Sequence, residues 1–266
     1  MGNDADEIRN WWSTSIIDMS PGKISFRGNE IENLIGNISF PQMIWMMVRG
    51  GLPTNEEASL FEAALVAGVD HGPQAPSIAA ARMAATCGVG INNAMATGIN
   101  MLGDIHGGAG EQCAELFYEI SLRIDNGATF EKAIQEALRE WESGNGKIIS
   151  GFGHRFHKPI DPRAPRLLEL VRLAAKENIV SGKYADIAEA IQSHLSIKKD
   201  IAMNIDGATA VIFCELGFPA PLSRGLFCLS RSVGILSHAW EQIEQGGRNK
   251  GPMPPKYLPK YILKNT

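Results

Sequence analysis

Apolar positions recur three and four residues apart along most of the chain, and the spacing predicts helices. Ser39-Phe-Pro-Gln42 carries a capping-box pattern with proline inside the first turn, and Gly50-Gly51 stops the helix it opens. Thr54-Asn-Glu-Glu57 repeats the device ahead of an apolar face of Leu60, Phe61, Ala64 and Leu65. The same periodicity runs from Gly107 to Ile124 and from Thr129 to Trp141, the second through Phe130, Ile134 and Leu138. Two more stripes follow, one from Ala164 to Ala175 and one from Tyr184 to Leu195. These are core faces and imply no chemistry. Ser15-Ile-Ile-Asp-Met19 and Lys23-Ile-Ser-Phe26 flank Ser20-Pro-Gly22, which predicts a small hairpin. No strands alternate with helices, so a doubly wound sheet is not expected. Gly246 to Pro255 is too rich in glycine and proline for helix. The fold class is all-α with a short N-terminal β-hairpin.

Composition narrows the class further. The 25 Lys+Arg against 29 Asp+Glu leave a net charge of −4, whereas a nucleic-acid protein would carry a basic domain or stripe. Apolar runs such as Ile44 to Val48 and Ala63 to Val69 fall short of the roughly 18 residues of a membrane span. The acidic N-terminus lacks the basic and apolar regions of a signal peptide. The expectation is a cytoplasmic protein that binds neither nucleic acid nor membrane. Cys87, Cys113, Cys214 and Cys228 stand far apart and read as reduced, small hydrophobes.

The 28 glycines cluster near histidines and are not spread as linker. Four polar clusters interrupt the apolar helices: Asp70-His71-Gly-Pro, Gly103-Asp-Ile-His106-Gly-Gly, Gly151 through Arg163, and Asn204-Ile-Asp206-Gly. Glycine lets backbone approach a ligand closely. His106 before Gly107-Gly108 opens a helix, where imidazolium is disfavoured and a neutral ring can donate a hydrogen bond. The plainer reading is an N-cap histidine. Asp206 interrupts the apolar stretch Ile201 to Phe213. A buried carboxyl with a raised pKa suits a general base for a carbon acid, and the alternative is a capping or ion-paired aspartate. His154, His157 and Asp161 are a conceivable metal set, but prolines 159 and 162 break any helix here and no Cys/His pair completes it. No metal is expected. His194 and His238 read as structural.

Together these segments resemble the citrate synthase superfamily over nearly the whole chain. Ser15 to Gly28 with Ile31-Glu-Asn-Leu looks like its hairpin and first helix, and His106-Gly-Gly-Ala like the motif of its first catalytic histidine. Gly151-Phe-Gly-His154 through Asp161-Pro-Arg163 resembles its most specific signature. Asn204-Ile-Asp206 matches the catalytic aspartate segment, and Ser230-Arg231-Ser-Val-Gly234 the later carboxylate-binding arginine. The wording around His71 and His154 is similar to the citryl-CoA lyase branch and to the homologous C-terminal part of ATP-citrate lyase, which lacks the first histidine kept here as His106.

The resemblance implies a large helical domain of residues 1–106 and 219–266 with a smaller domain, 107–218, inserted in it. It implies catalysis by His106, His154 and Asp206, and carboxylate binding by His71, Arg163 and Arg231. CoA contacts fall on Gly151, Phe152, Gly153 and Lys158. Lys158 stands where an arginine is usual, keeping charge but losing the fork. The tail has Gly251-Pro252 where an arginine normally reaches the partner subunit's site, with Arg248 or Lys250 as substitutes. The implied activity is reversible cleavage of citryl-CoA to acetyl-CoA and oxaloacetate, with His154 accepting the hydroxyl proton. Citrate synthesis, a related acyl-CoA condensation, or a non-catalytic sensor are the alternatives. The partners implied are these small molecules and a second copy, as a homodimer or higher even oligomer. No cofactor is bound permanently; CoA arrives with the substrate.

Overall fold

A computed structural model describes residues 2–197, 201–257 and 259–263, with side chains from residue 6 onward. The chain forms two compact units, Met1–Glu62 and Ala63–Thr266. In the first, α1 (Gly2–Trp11) precedes an antiparallel sheet of β1 (Ile17–Ser20), β2 (Lys23–Phe26) and β3 (Asn29–Glu30). Ser20 pairs with Lys23 across Pro21-Gly22, so the expected hairpin forms on its two-residue turn.

Next come α2 (Ile31–Leu34), α3 (Phe40–Arg49) and α4 (Asn55–Gly68). Ser39 Oγ accepts the Gln42 N–H while Gln42 Oε1 accepts the Ser39 N–H, the reciprocal box that the sequence spells. Thr54 and Glu57 do the same for α4. Trp45 and Phe61 meet edge to face, centroids 5.8 Å apart, and Leu34 and Met46 are buried in the same unit.

The second unit holds α5 (Pro76–Thr86), α6 (Ile91–Asn100), α7 (Ala109–Asp125), α8 (Phe130–Asn145), α9 (Arg163–Lys176), α10 (Lys183–Ser196), α11 (Ile205–Glu215) and α12 (Ala220–Glu244). Gly207 to Cys214 of α11 are all buried, with α7, α9 and α10 packed around them. A helix apolar on every side is a core helix. The carboxylate of Glu215, at its end, accepts the N–H groups of Ser181, Gly182 and Tyr184 and so closes the N-terminus of α10. Elsewhere α12 lies against α5 and α6 through small residues, among them Ala75, Ala81, Ala94 and Ala239. Residues 246–257 contain no helix.

Candidate active site

His106 ends a tight loop in which the Gly103 N–H bonds back to its carbonyl. Its Nε2 accepts the Ser77 backbone N–H at 3.2 Å and lies 3.0 Å from Ser77 Oγ. Ser77 is the second residue of α5, so this N–H is one of that helix's unpaired first-turn donors. An accepting Nε2 leaves the neutral ring's proton on Nδ1. Burial and the Arg231 charge hold the imidazole below the usual histidine range. The helix end that does this belongs to α5, not to α7 as the following glycines implied.

His154 sits on a loop built differently. Its Nδ1 accepts the N–H groups of Phe156 at 3.1 Å and His157 at 3.0 Å, which leaves the proton on Nε2. Burial lowers its pKa; Asp161 opposes this, while His157 and Arg163 add to it. The loop is anchored by two crossing bonds, Gly153 N–H to the Ala202 carbonyl and Asn204 N–H to that of Gly151. Gly151 has φ 89°, and a Cβ there would lie 2.5 Å from Cys113 Sγ and 2.9 Å from the Gly207 Cα, so only glycine fits. Asn204 caps α11 with Oδ1 on the Asp206 and Gly207 N–H groups while its Nδ2 holds the Gly153 carbonyl.

Asp161 is the clamp of the site. Its buried carboxylate takes Nε and Nη2 of Arg163 at 2.9 Å each and the Ile205 N–H at 3.0 Å. Burial pushes its pKa up, but these donors outweigh it and hold the group below the usual carboxylate range. With both oxygens engaged by the chain's own donors, Asp161 is not arranged as a metal ligand. Among the described residues no group of three His, Cys, Asp or Glu is placed to hold a metal ion.

Asp206 follows Asn204 in the first turn of α11, and burial raises its carboxyl above the usual range against the pull of Arg231 and Arg163. Arg231 is buried on α12, with Nε on the Gly68 carbonyl at 3.0 Å and its guanidinium 4.8 Å from the centre of the Phe227 ring. The His71 ring stands edge-on to His154, centroids 5.3 Å apart. Burial, then Arg231 and Arg163, push His71 down to about 4. The charge of Arg231 therefore acts on His71, His106 and Asp206, and that of Arg163 on His71, His154 and Asp206. The two guanidinium groups thus link the six residues electrostatically, and His71 and His154 meet directly.

The expected CoA contacts divide. Gly153 and Lys158 line a cavity of about 630 Å³ together with His154, His157, Ile201 and Ala202. Gly151 and Phe152 are buried, and the Phe152 N–H is spent on the Ile149 carbonyl, so these two support the loop. Arg248 and Lys250 lie on a tail pinned at the far end of α5, where Asn249 and Lys250 N–H groups bond to Thr86. Sequence inspection missed Ser77, whose only signal is the proline before it at a helix start, and the clamping role of Asp161.

Residues 53–253 match the family model described as "Citrate synthase, C-terminal domain". The chain belongs to the citrate synthase family. It is 31% identical over 215 residues to a citrate synthase of Saccharolobus solfataricus, covering 79% of this chain and 54% of that protein. The chain thus spans about half the length of the curated relatives it matches. Among solved structures it is similar to citryl-CoA lyase from Hydrogenobacter thermophilus, with a TM-score of 0.83, 30% identity and 96% of each chain covered. ATP citrate lyase from Methanothrix soehngenii shares the fold at a TM-score of 0.79 and 21% identity, over 98% of this chain and 44% of that one. The all-α citrate synthase fold with its small N-terminal sheet is therefore that of this family. Among the described residues no helix is long and apolar enough to cross a membrane.

Proposed function

We propose that this citrate synthase family member is a citryl-CoA lyase-type enzyme that reversibly cleaves citryl-CoA to acetyl-CoA and oxaloacetate. The main support is a pair of neutral imidazoles with fixed, opposite tautomers, grouped with a raised carboxyl and two guanidinium groups. End-to-end similarity to a citryl-CoA lyase, 96% of both chains, adds to it.

In the condensing direction the Asp206 carboxylate takes a proton from the acetyl thioester's methyl group. The electron pair moves into the carbonyl, and His106 Nδ1–H holds the enolate oxygen. The enolate carbon then attacks the keto carbon, whose oxygen receives the charge and a hydrogen bond from His154 Nε2–H. Cleavage runs this backwards: the hydroxyl proton is released to solvent, the carbon–carbon pair flows into the thioester, and protonated Asp206 returns a proton to carbon. Asp206 is then reprotonated from solvent, so the protons balance. His154 is a hydrogen-bond donor in this scheme, not the proton acceptor that its place in the motif suggested, because the loop N–H groups occupy Nδ1. His71, Arg163 and Arg231 orient the carboxylates, and forked guanidinium groups suit that task. Lys158 meets a CoA phosphate beside Gly153.

His71, His106 and Arg231 come from the proposed large domain, 1–106 and 219–266, and His154, Asp206 and Arg163 from the proposed small one, 107–218. We place the enzyme in the cytoplasm as a homodimer or higher even oligomer. CoA enters with the substrate and no other cofactor takes part.

Citrate synthesis is the second reading, favoured by the 31% identity to a citrate synthase. The test offers citryl-CoA alone, then acetyl-CoA with oxaloacetate, while following thioester absorbance and free thiol. Oxaloacetate from citryl-CoA without free thiol is the expected result. Free CoA from the second mixture would make it a synthase, and silence in both would leave a different acyl-CoA or a sensor.

A further inference from the structure

Along one face, α12 grips the stretch of chain ahead of His71. Ser230 Oγ donates to the Leu65 carbonyl at 2.5 Å, Arg231 Nε to that of Gly68 at 3.0 Å, and the Gly234 N–H to that of Val69 at 3.1 Å. A Cβ on Gly234 would collide with the Val69 oxygen and come within 2.9 Å of Asp70 Oδ1. One turn further on, His238 Nε2 stands 3.2 Å from that same Asp70 oxygen. Positions 231, 234 and 238 share a face by helical spacing.

The other Asp70 oxygen accepts the Gly72 N–H at 3.1 Å, closing a turn with His71 at its apex. The carboxylate therefore closes the turn around His71 with one oxygen and turns the other to His238 of α12. Around His238 the charged groups are Asp70, Glu241 one turn along α12 with Oε2 4.0 Å from Nδ1, and Arg82 of α5, which pairs with Glu241 at 3.4 Å. Asp70 Oδ1 and His238 Nδ1 are both buried and make no hydrogen bond among the described residues, so the carboxylate and the ring face each other at ion-pair distance. A histidine retained only for packing would normally satisfy both nitrogens. This ring leaves Nδ1 unbonded and sets Nε2 at ion-pair distance from the Asp70 carboxylate.

We propose that His238 and Asp70 are a positioning pair that holds the His71 imidazole in place at the carboxylate-binding end of the site. Neither residue touches substrate. Their part is to fix the turn from 70 to 72, so that His71 keeps its edge-on place against His154. An offset of about 1 Å in such a group costs large factors in orientation. The proposal rests on His71 as a carboxylate ligand only for its consequence in binding, not for the positioning itself.

Two readouts separate these levels. Heteronuclear NMR of histidine-labelled protein follows the His71 ring, assigned with His71→Ala, and calorimetry follows oxaloacetate. His238→Ala should shift or broaden the His71 resonance and weaken oxaloacetate binding about tenfold, with the KM for acetyl-CoA unchanged. His238→Gln keeps an N–H toward Asp70 and should restore both. Asp70→Asn, nearly isosteric and able to keep the Gly72 bond, should reproduce the His238→Ala effect even if His238→Ala folds poorly. An unmoved His71 resonance in His238→Ala and Asp70→Asn overturns the proposal, whatever the activity. A His71 resonance that responds in a protein that binds no oxaloacetate would uphold the pair and sink the proposed substrate.

Discussion

His106 is held by the end of a helix and His154 by a loop, and the two arrive at the same charge state. In each ring the nitrogen facing the protein accepts backbone N–H groups: Ser77 for His106, Phe156 and His157 for His154. Imidazolium would set an N–H against those donors, so each ring stays neutral for a reason beyond burial. The proton is left on Nδ1 of one and Nε2 of the other, each free to point at an oxygen. The supports differ in what they require. A helix N-terminus supplies its donor from regular backbone, whatever side chain Ser77 carries. The loop supplies its donors only while Gly151 and Gly153 keep φ of 89° and 79° and remain bonded to residues 202–204. The same chemical state is robust on one side and sensitive on the other.

The largest expected effect leaves that comparison intact. Asp206→Asn should lower turnover about a thousandfold while both rings keep their tautomers and ligands still bind. Near-normal turnover would remove Asp206 from the mechanism. Burial raises this carboxyl, so the folded state holds a proton that the unfolded chain gives up near pH 4. Stability from this group is therefore lost as pH rises from about 4 through the folded value, and the asparagine variant escapes that loss. Denaturant unfolding should find Asp206→Asn more stable than wild type at pH 7 and no different from it below about pH 4.

A smaller effect should break the loop side alone. In Gly153→Ala the new Cβ meets only Ile201 Cγ2 at 3.7 Å, so the cost is the left-handed backbone itself, about 1–2 kcal/mol. Turnover should fall about tenfold as His154 loses its donors, while the His106 resonances stay put. Movement of both rings would mean that the supports are coupled. Smallest of all is Ser77→Ala, which removes the Oγ contact at 3.0 Å and keeps the N–H. Turnover should change by no more than about threefold. A loss above tenfold would transfer the role from the helix end to the hydroxyl.

Local punctuation made much of the fold legible. The capping boxes at Ser39 and Thr54, the Pro21-Gly22 turn and the stripes of α8, α9 and α10 are read straight from spacing. α5 and α6 were harder, because Pro-Ser-Ile-Ala-Ala-Ala-Arg and its successor are too rich in small residues to show contrasting faces. His71, His106, His154 and Asp206 were legible because each sits beside glycine, a marker of close backbone approach, whereas Arg163 and Arg231 have no such neighbour and were found only through the family resemblance. What holds them was not. Ser77 reaches His106 across 29 positions, Asp161 reaches Ile205 across 44, and Asp70, in the loop after α4, meets His238 on α12. Spacing along one chain carries no signal for such pairs, and His238, read as structural, shows the loss most plainly.

The most direct test of the account is nitrogen-15 NMR of histidine-labelled protein at pH 7, with His106 and His154 assigned through single substitutions. The prediction is two neutral rings in opposite tautomers, protonated at Nδ1 in His106 and at Nε2 in His154. An imidazolium at either position, or a shared tautomer, would contradict it.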